Sequence, residues 1–290
     1  MALDRHSAPF RGADAVRAGD VTRDRLRGPT YERVGHDLYV GSANDLGSPR
    51  LRAAALHEWS RGHGVVAGPL AARCHGVDCP WDDAEIVLRG GRRAAPLRAR
   101  VRTDRLAPHE VVLRDGVLMT SPARTAFDLA RRSPLVEAVA AVDALAHRHR
   151  FGTAALRAAI EEHPGVRGLE QAARVVELMN PLAESLMESR VRVGLVLRGV
   201  PAPECQLELT LRGYGVVRLD MAWRRPPARR RPFALEYDGP EHRTITGQNR
   251  DNRRDAALDR FGWDALHVSS EQVLGTGIDG LTARVRLRLE

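Results

Sequence analysis

The chain contains no lysine and few cysteines or aromatic residues. All 45 of its basic residues are arginine, which indicates a biased composition, so the number of arginines alone carries little functional information. Three cysteines in 290 residues, an odd number, do not make a disulfide framework and indicate a reducing cytoplasm. Aromatic residues make up only 4% of the chain, which leaves little surface for stacking on sugars and disfavours a two-carboxylate glycosidase.

Long apolar segments are also missing. No run approaches the roughly 20 uncharged apolar residues of a membrane-spanning helix, so no membrane association is predicted. The first residues, Met1 to Ser7, include charges and no apolar h-region, so no secretory signal peptide is expected. The chain does have a net charge of +8 and a pI of about 10.4, which favours a polyanionic partner such as DNA.

Two strand-like segments carry acidic residues. Asp220 lies in the apolar segment 216–223, and Glu236 and Asp238 lie in the segment 233–242. Because side chains alternate along a strand, Glu236 and Asp238 point the same way roughly 7 Å apart, and antiparallel pairing brings Asp220 alongside Glu236. Buried carboxylates are seldom unpaired, and a hard divalent cation neutralises several at once. These residues predict a site for Mg²⁺, with Mn²⁺ as the alternative ion.

The same segments resemble a known family. An Asp strand followed by a strand ending in Glu-x-Asp-Gly-x-x-His resembles the Vsr-like (very short patch repair endonuclease-like) branch of the PD-(D/E)XK nuclease superfamily. Residues 254–268 are similar to that family's Arg-Asp-x-x-Leu helix, Gly-Trp turn and final strand, and residues 182–192 to its helix with a ligand Glu. The resemblance covers about residues 180–290 and implies a metal-dependent endonuclease. The implied metal ligands are Glu188, Asp220 and Glu236, with Asp238 and His242 completing the catalytic site.

The chain departs from this family at two positions. Because lysine is absent, Asp238 stands in place of the Lys of a Glu-x-Lys motif, and an aspartate cannot supply that cation. His242 and Arg254 are the candidates for this role. His267 occupies a position where relatives often carry Arg.

Three of these residues also have simpler explanations. For Glu188 the alternative is a surface ion pair, since it lies four residues before Arg192 on the same predicted helix. Asp238 is followed by Gly239, and an Asp-Gly pair commonly opens a turn. For His242 the alternative is an exposed position at the start of a helix.

Arginines cluster near the acidic segments. One cluster lies between the two segments, at 224–231, and a second lies at 250–254 on a predicted helix. Arginine suits bidentate contact with phosphate, so we predict that both clusters bind the DNA backbone, with a solvated loop as the alternative for the first. The predicted nucleic-acid-binding residues are Arg225, Arg230, Arg250, Arg253 and Arg254.

The N-terminal half has a different pattern. Charged residues at 12–27 with spaced apolar positions predict short helices, and the segment 31–40 predicts a strand pair, an order typical of a winged helix-turn-helix. The segments 35–40, 71–76 and 120–130 resemble the AbiEi-type antitoxin-like domain. This resemblance implies a winged helix followed by a mixed α/β module.

Two local motifs in this half are predicted to be structural. Arg124 and Asp128 lie four residues apart after Ser121 and Pro122, which predicts an ion pair at the start of a helix. Cys74 lacks the partners of a four-ligand zinc site and is predicted to be a small buried residue.

Together these patterns predict an α/β protein with four parts. They are a winged helix-turn-helix at 1–48, a mixed α/β module at 49–132, a helical connector at 133–179 and a restriction-endonuclease-like α/β domain with a central mixed sheet at 180–290. The predicted function is that of a Mg²⁺-dependent DNA endonuclease or nickase. The alternative is a catalytically inactive DNA-binding regulator of antitoxin type that keeps the nuclease-like domain as a scaffold. The sequence leaves open homodimer formation and the identity of any partner protein.

Overall fold

The chain divides into two compact units. The computed structural model describes residues 8–79, 81, 83–88, 94–225, 231–239, 245–273 and 275–290, with the backbone alone for 245–252. Unit 1 comprises Met1–Arg132 and Ala155–Arg167, and unit 2 comprises Ser133–Ala154 and Gly168–Glu290. The residues predicted to form a helical connector are therefore shared between the two units. No helix in the described ranges is long and apolar enough to cross a membrane.

Unit 1 begins with a small sheet and two short helices. In chain order these are β1 (Phe10–Arg11), α1 (Gly12–Arg17), α2 (Arg23–Arg27), β2 (Tyr31–Gly35) and β3 (Leu38–Gly41). The three strands are antiparallel in the order β1-β3-β2. Thr22 caps α2 by accepting a hydrogen bond from the backbone N–H of Arg25. Phe10 and Tyr31 pack edge to face, with ring centroids 5.2 Å apart, in the small core of this part. Two helices followed by a strand pair is the order that the sequence predicts.

The rest of unit 1 is a five-stranded mixed sheet with three helices. Its elements are α3 (Pro49–Trp59), β4 (Val65–Ala67), α4 (Gly68–Cys74), β5 (Glu85–Val87), β6 (Arg100–Arg102), β7 (Val111–Arg114), β8 (Val117–Thr120) and α5 (Pro122–Arg132). The strand order is β6-β5-β4-β8-β7. Leu56, Leu70, Ile86 and Met119 fill its core. Cys74 is buried beside them as a free thiol, as predicted.

Unit 2 combines two helical segments with an α/β domain. Its elements are α6 (Leu135–His149), α8 (Leu169–Leu178), α9 (Leu186–Val196), β9 (Glu204–Leu211), β10 (Gly215–Trp223), β11 (Phe233–Tyr237), α10 (Ile245–Arg260), β12 (Asp264–Val268) and α11 (Gly277–Leu289). Between α6 and α8 in the chain, α7 (Thr153–Glu162) begins in unit 2 but lies mostly in unit 1. The strand order is β12-β11-β10-β9, with β11 and β12 parallel and the other pairs antiparallel. The predicted mixed α/β class is confirmed for both units.

Strand β11 is buried on both faces of the sheet of unit 2, which explains its continuous apolar segment Phe233–Leu235. Alternate residues of β11 point to opposite sides, so that Phe233 and Leu235 pack with α9 and α11, whereas Ala234 packs with Leu258 of α10 and with Trp263. Glu236 follows in the position where alternation directs it to the α10 side. The strand thus brings a carboxylate to the end of a buried apolar row.

Candidate functional site

The carboxylates predicted as metal ligands come from three neighbouring elements of unit 2. Asp220 lies on β10, Glu236 lies on β11 and is only 6% exposed, and Glu188 lies in the first turn of α9. Ser185 caps that helix by accepting a hydrogen bond from the N–H of Glu188, which fixes the turn that carries the acid. The strands β10 and β11 are antiparallel neighbours, as the sequence predicts.

The pairing of β9 with β10 is interrupted at Asp220. The register is the same on both sides of this point, but Asp220 and Gln206 do not pair, and Gln206 has a φ of +52°. Residues before the interruption, such as Leu219, pack on the α10 side, whereas Met221 packs on the side of α9 and α11. A left-handed backbone at a non-glycine residue is strained, and such strain is concentrated at functional sites.

Gln206 links two of the acids. Its Nε2 atom donates to Glu188 Oε2 at 2.8 Å and to Asp220 Oδ1 at 3.4 Å. The other oxygen of Asp220 accepts the backbone N–H of Tyr237 at 3.0 Å, so this carboxylate also stabilises the end of β11. The sequence does not indicate a role for Gln206, because a single polar residue on an alternating strand forms no recognisable motif.

Only one of the two carboxylate oxygens of Glu236 has a partner among the described residues. Its Oε2 atom lies 2.5 Å from Nη1 of Arg254, whose Nη2 donates to the backbone carbonyl of Arg218. The other carboxylate oxygen, Oε1, is buried and has no hydrogen-bond partner among the residues that the structure describes. A buried acceptor without a partner is costly, so this oxygen is the best indication that a ligand belongs at the site.

Burial raises the pKa of all three acids. The pKa of Glu236 rises to about 7, because burial outweighs the favourable charge of Arg254. Burial also raises the pKa of Asp220. For Glu188, burial and then the negative charge of Asp220 raise the pKa. Binding of a proton or a cation therefore stabilises these three carboxyl groups.

Replacing Glu236 with glutamine is expected to change how stability depends on pH. The folded-state pKa of Glu236 lies above its usual 4.5, so the protonated side chain contributes fully to the free energy of unfolding below that pH. This contribution is lost as the pH rises through about 7. In EDTA at about pH 8, Glu236→Gln should be more stable than the wild type by on the order of 3 kcal/mol, and at about pH 4.5 the two should agree. Urea denaturation at both pH values measures this, with the exposed Glu208→Gln as control. An equal difference at both pH values would show that titration of Glu236 is not the cause.

Asp238 belongs to a second small network. Nδ1 of His267 lies 3.1 Å from Asp238 Oδ1, and Nε2 of His267 lies 3.1 Å from Asp255 Oδ1. Burial opposes the charge on His267, but the hydrogen bonds and charges of the two aspartates outweigh it and raise the histidine pKa. Asp255, for which the sequence indicates no role, thus holds His267 together with Asp238.

The other predicted site residues are placed as follows. His242 and Arg230 lie outside the described residues, and the side chain of Arg250 does as well. Arg225 and Arg253 are exposed. The alternative role predicted for Glu188 is an ion pair with Arg192. The Arg192 guanidinium lies 2.7 Å from Asp143, and this contact competes with such a pair.

The three acids have the right chemistry for Mg²⁺ but are too far apart for one ion. Carboxylate oxygens are the ligands that Mg²⁺ prefers, and Oε1 of Glu236, to which no described residue donates, fits this use. Among the described side chains, the three that bring ligand atoms within 4.8 Å of one another are His109, Glu110 and Glu162 in unit 1. Glu110 is already bound there by Arg124 and His163, so that set offers no free acidic site.

Comparison with known proteins identifies a domain and two relatives. Residues 66–181 match the model of the AbiEi antitoxin C-terminal domain. Two uncharacterized proteins of Mycobacterium tuberculosis, Rv2248 of strain H37Rv and MT2308 of strain CDC 1551, are each 31% identical over 249 residues, which is 83% of this chain and 86% of each relative. No solved structure matches the chain significantly. The antitoxin-like resemblance is thereby confirmed, and the Vsr-like resemblance stays a prediction.

Proposed function

Because the chain belongs to the family of the uncharacterized Mycobacterium tuberculosis protein Rv2248 and contains an AbiEi antitoxin C-terminal domain, we propose that it is a DNA-binding regulator of antitoxin type. The domain match at 66–181 is the observation that carries this proposal. The name of the domain also points to a toxin as partner protein.

The N-terminal part of unit 1 supports DNA binding. On helix α2, Arg23, Arg25 and Arg27 are all exposed, and the antiparallel pair β2–β3 follows directly. In a winged helix-turn-helix, a helix enters the major groove and the strand pair contacts the backbone beside it. Arginines on such a helix would contact phosphates and base edges.

Removing two of these arginines is expected to weaken DNA binding. The double variant Arg23→Ala/Arg25→Ala should lower the affinity for duplex DNA by about tenfold or more and reduce the salt dependence by about one unit for each phosphate that is no longer neutralised. A mobility-shift titration in EDTA at several salt concentrations measures both effects. Arg148→Ala/Arg157→Ala is the matched control, since these arginines are exposed on α6 and α7. Equally weakened binding in the two double variants would contradict a specific role for α2.

A Mg²⁺-dependent endonuclease is the second candidate function. It is favoured by one observation, the buried Oε1 of Glu236, which lacks a partner within the described part of the chain and lies beside Asp220 and Glu188. To hold the ion, Glu188, Asp220 and Glu236 would have to come closer together than they lie in the structure; the ion would then stabilise the charge that develops in phosphodiester cleavage and activate water. Arg254, the guanidinium nearest Glu236, would supply the cation that the missing lysine cannot.

A plasmid assay tests this second function. Supercoiled plasmid is incubated with the chain in Mg²⁺, Mn²⁺ or EDTA, beside the variant Asp220→Ala/Glu236→Ala. Metal-dependent nicking that the variant loses supports the endonuclease. A mobility shift without nicking supports the regulator alone.

A further inference from the structure

A cavity of about 420 Å³ opens within unit 1. Its apolar wall comes mainly from α3 and β8. Leu51 and Ala54 lie three residues apart on α3 and so share one helix face, while Val117 and Met119 alternate on β8 and so share one sheet face. Cys74, the last residue of α4, also lines the wall. The volume is in the range of pockets that hold small organic molecules, roughly 300–1,000 Å³.

Four charged side chains also line the cavity, and three of them already have partners. Arg50 Nε lies 3.6 Å from Asp115 Oδ2, and Asp45 accepts the backbone N–H of Gly47 at 2.8 Å. The fourth is Arg114, which is half-buried and whose guanidinium has no ion pair or hydrogen bond with any residue that the structure describes. A guanidinium without a partner favours an anionic ligand, because charge-assisted hydrogen bonds to a carboxylate are strong.

The hairpin of β7 and β8 directs Arg114 to the cavity. Asp115 and Gly116 have φ values of +50° and +78°, the left-handed pair of a two-residue hairpin turn. The register places Arg114 opposite Val117, and residues that are opposite each other in an antiparallel pair point to the same face of the sheet. The guanidinium therefore lies beside the apolar wall. A ligand that satisfies both needs an apolar body and an anionic group.

The state of Cys74 shows what kind of binding the cavity allows. Burial raises the pKa of its thiol to about 11, and the charges of Arg114 and then Arg50 oppose this rise. Both arginines thus act on the floor of the cavity. A thiol with so high a pKa stays neutral and is a poor nucleophile, so a ligand would be held without a covalent bond.

We propose that this cavity binds a small organic anion, with its apolar body against α3 and β8 and its carboxylate against Arg114. The ligand would bury the apolar wall and give the guanidinium the partner that the described residues do not supply. This site goes beyond the DNA binding proposed above and does not depend on it.

Titration of the full chain with small carboxylates tests the ligand class. Benzoate, 1-naphthoate and octanoate are compared by isothermal titration, each beside its neutral amide. We expect saturable binding of at least one acid, about tenfold tighter than that of its amide, because a hydrogen bond to a charged group is the stronger one. If no acid binds saturably, or if acid and amide bind equally, the proposal is overturned.

Two variants test whether binding occurs in this cavity. Arg114→Gln should lose the preference for the acid over its amide, whereas Arg105→Gln, which changes an exposed arginine of the same unit, should keep it. Ala54→Phe fills the cavity and should weaken the binding of acid and amide alike by about tenfold or more. A preference that survives in Arg114→Gln, or undiminished binding by folded Ala54→Phe, overturns the assignment. Circular dichroism checks the fold, and Arg114→Gln decides alone if Ala54→Phe does not fold.

Discussion

Replacing Arg124 with leucine is expected to lower the free energy of unfolding of unit 1 by about 3–5 kcal/mol, the usual cost of breaking a buried ion pair by removing one partner. Arg124 is 2% exposed, and its Nε lies 3.1 Å from Asp128 Oδ2 while its Nη1 lies 2.8 Å from Glu110 Oε2. Without the guanidinium, both carboxylates stay buried with part of their acceptors unpaired. Equilibrium urea denaturation followed by circular dichroism measures the change.

The expected cost is large because Arg124 belongs to a continuous network of buried and partly buried ion pairs. Asp128 also binds Arg131 at 2.8 Å, and Glu110 also accepts from Nε2 of His163 at 2.7 Å. The network alternates four arginines with four carboxylates, namely Arg102, Arg124, Arg131 and Arg132 with Glu85, Asp104, Glu110 and Asp128.

An exposed ion pair of the same unit provides the control. Arg17 lies 3.0 Å from Asp14, but its side chain is 77% exposed. Arg17→Leu should change the stability by less than about 1 kcal/mol, because such pairs are screened by solvent. If Arg124→Leu and Arg17→Leu cost the same, the buried network does not hold unit 1 together.

Replacing Asp143 with alanine is expected to destabilise unit 2 by a similar amount, about 3–5 kcal/mol. Asp143 is fully buried on α6 and accepts hydrogen bonds from Asn180 N–H at 2.6 Å, Ser189 Oγ at 2.7 Å and Arg192 Nη2 at 2.7 Å. The substitution leaves the Arg192 guanidinium buried without its carboxylate. It also removes the link by which α6 orients α9, the helix that carries Glu188.

Asp143→Asn separates the charge from the hydrogen bonds. The single amide oxygen can replace only one of the two carboxylate oxygens, and so can accept either from Asn180 N–H, which binds Oδ1, or from Ser189 Oγ, which binds Oδ2. Because one of these hydrogen bonds is kept, this variant should cost less than Asp143→Ala, by about 1–2 kcal/mol. Urea denaturation of both variants at neutral pH compares them. An Asp143→Ala variant that is at least as stable as the wild type would contradict a stabilising role for Asp143.

The sequence predicts the strand pairing of the candidate site better than its contacts. Alternating apolar residues around Asp220 and Glu236 predict antiparallel neighbours, and β10 and β11 are such neighbours. The sequence does not reveal the interruption at Gln206, because strand pairing depends on long-range contacts that a local pattern does not contain. The contact between Arg254 and Glu236 is not encoded by any local spacing either, since it joins a helix to a strand.

The same limit applies to the ion pairs. Spacing correctly predicts the pair of Arg124 with Asp128, which are four residues apart on α5. It does not predict that the pair is buried, because Glu110, the third member, lies on a different segment. For α6, a single Asp143 in an Ala- and Val-rich helix was the available signal that this helix packs against a polar partner.

Binding of duplex DNA without metal is tested by selection from a random-sequence duplex pool in EDTA. The full chain is immobilised, bound duplexes are recovered over several rounds at physiological salt, and the recovered pool is sequenced. We expect recovery that depends on Arg23 and Arg25 and enrichment of a defined sequence. No recovery of duplex in EDTA, at low or physiological salt, would contradict it.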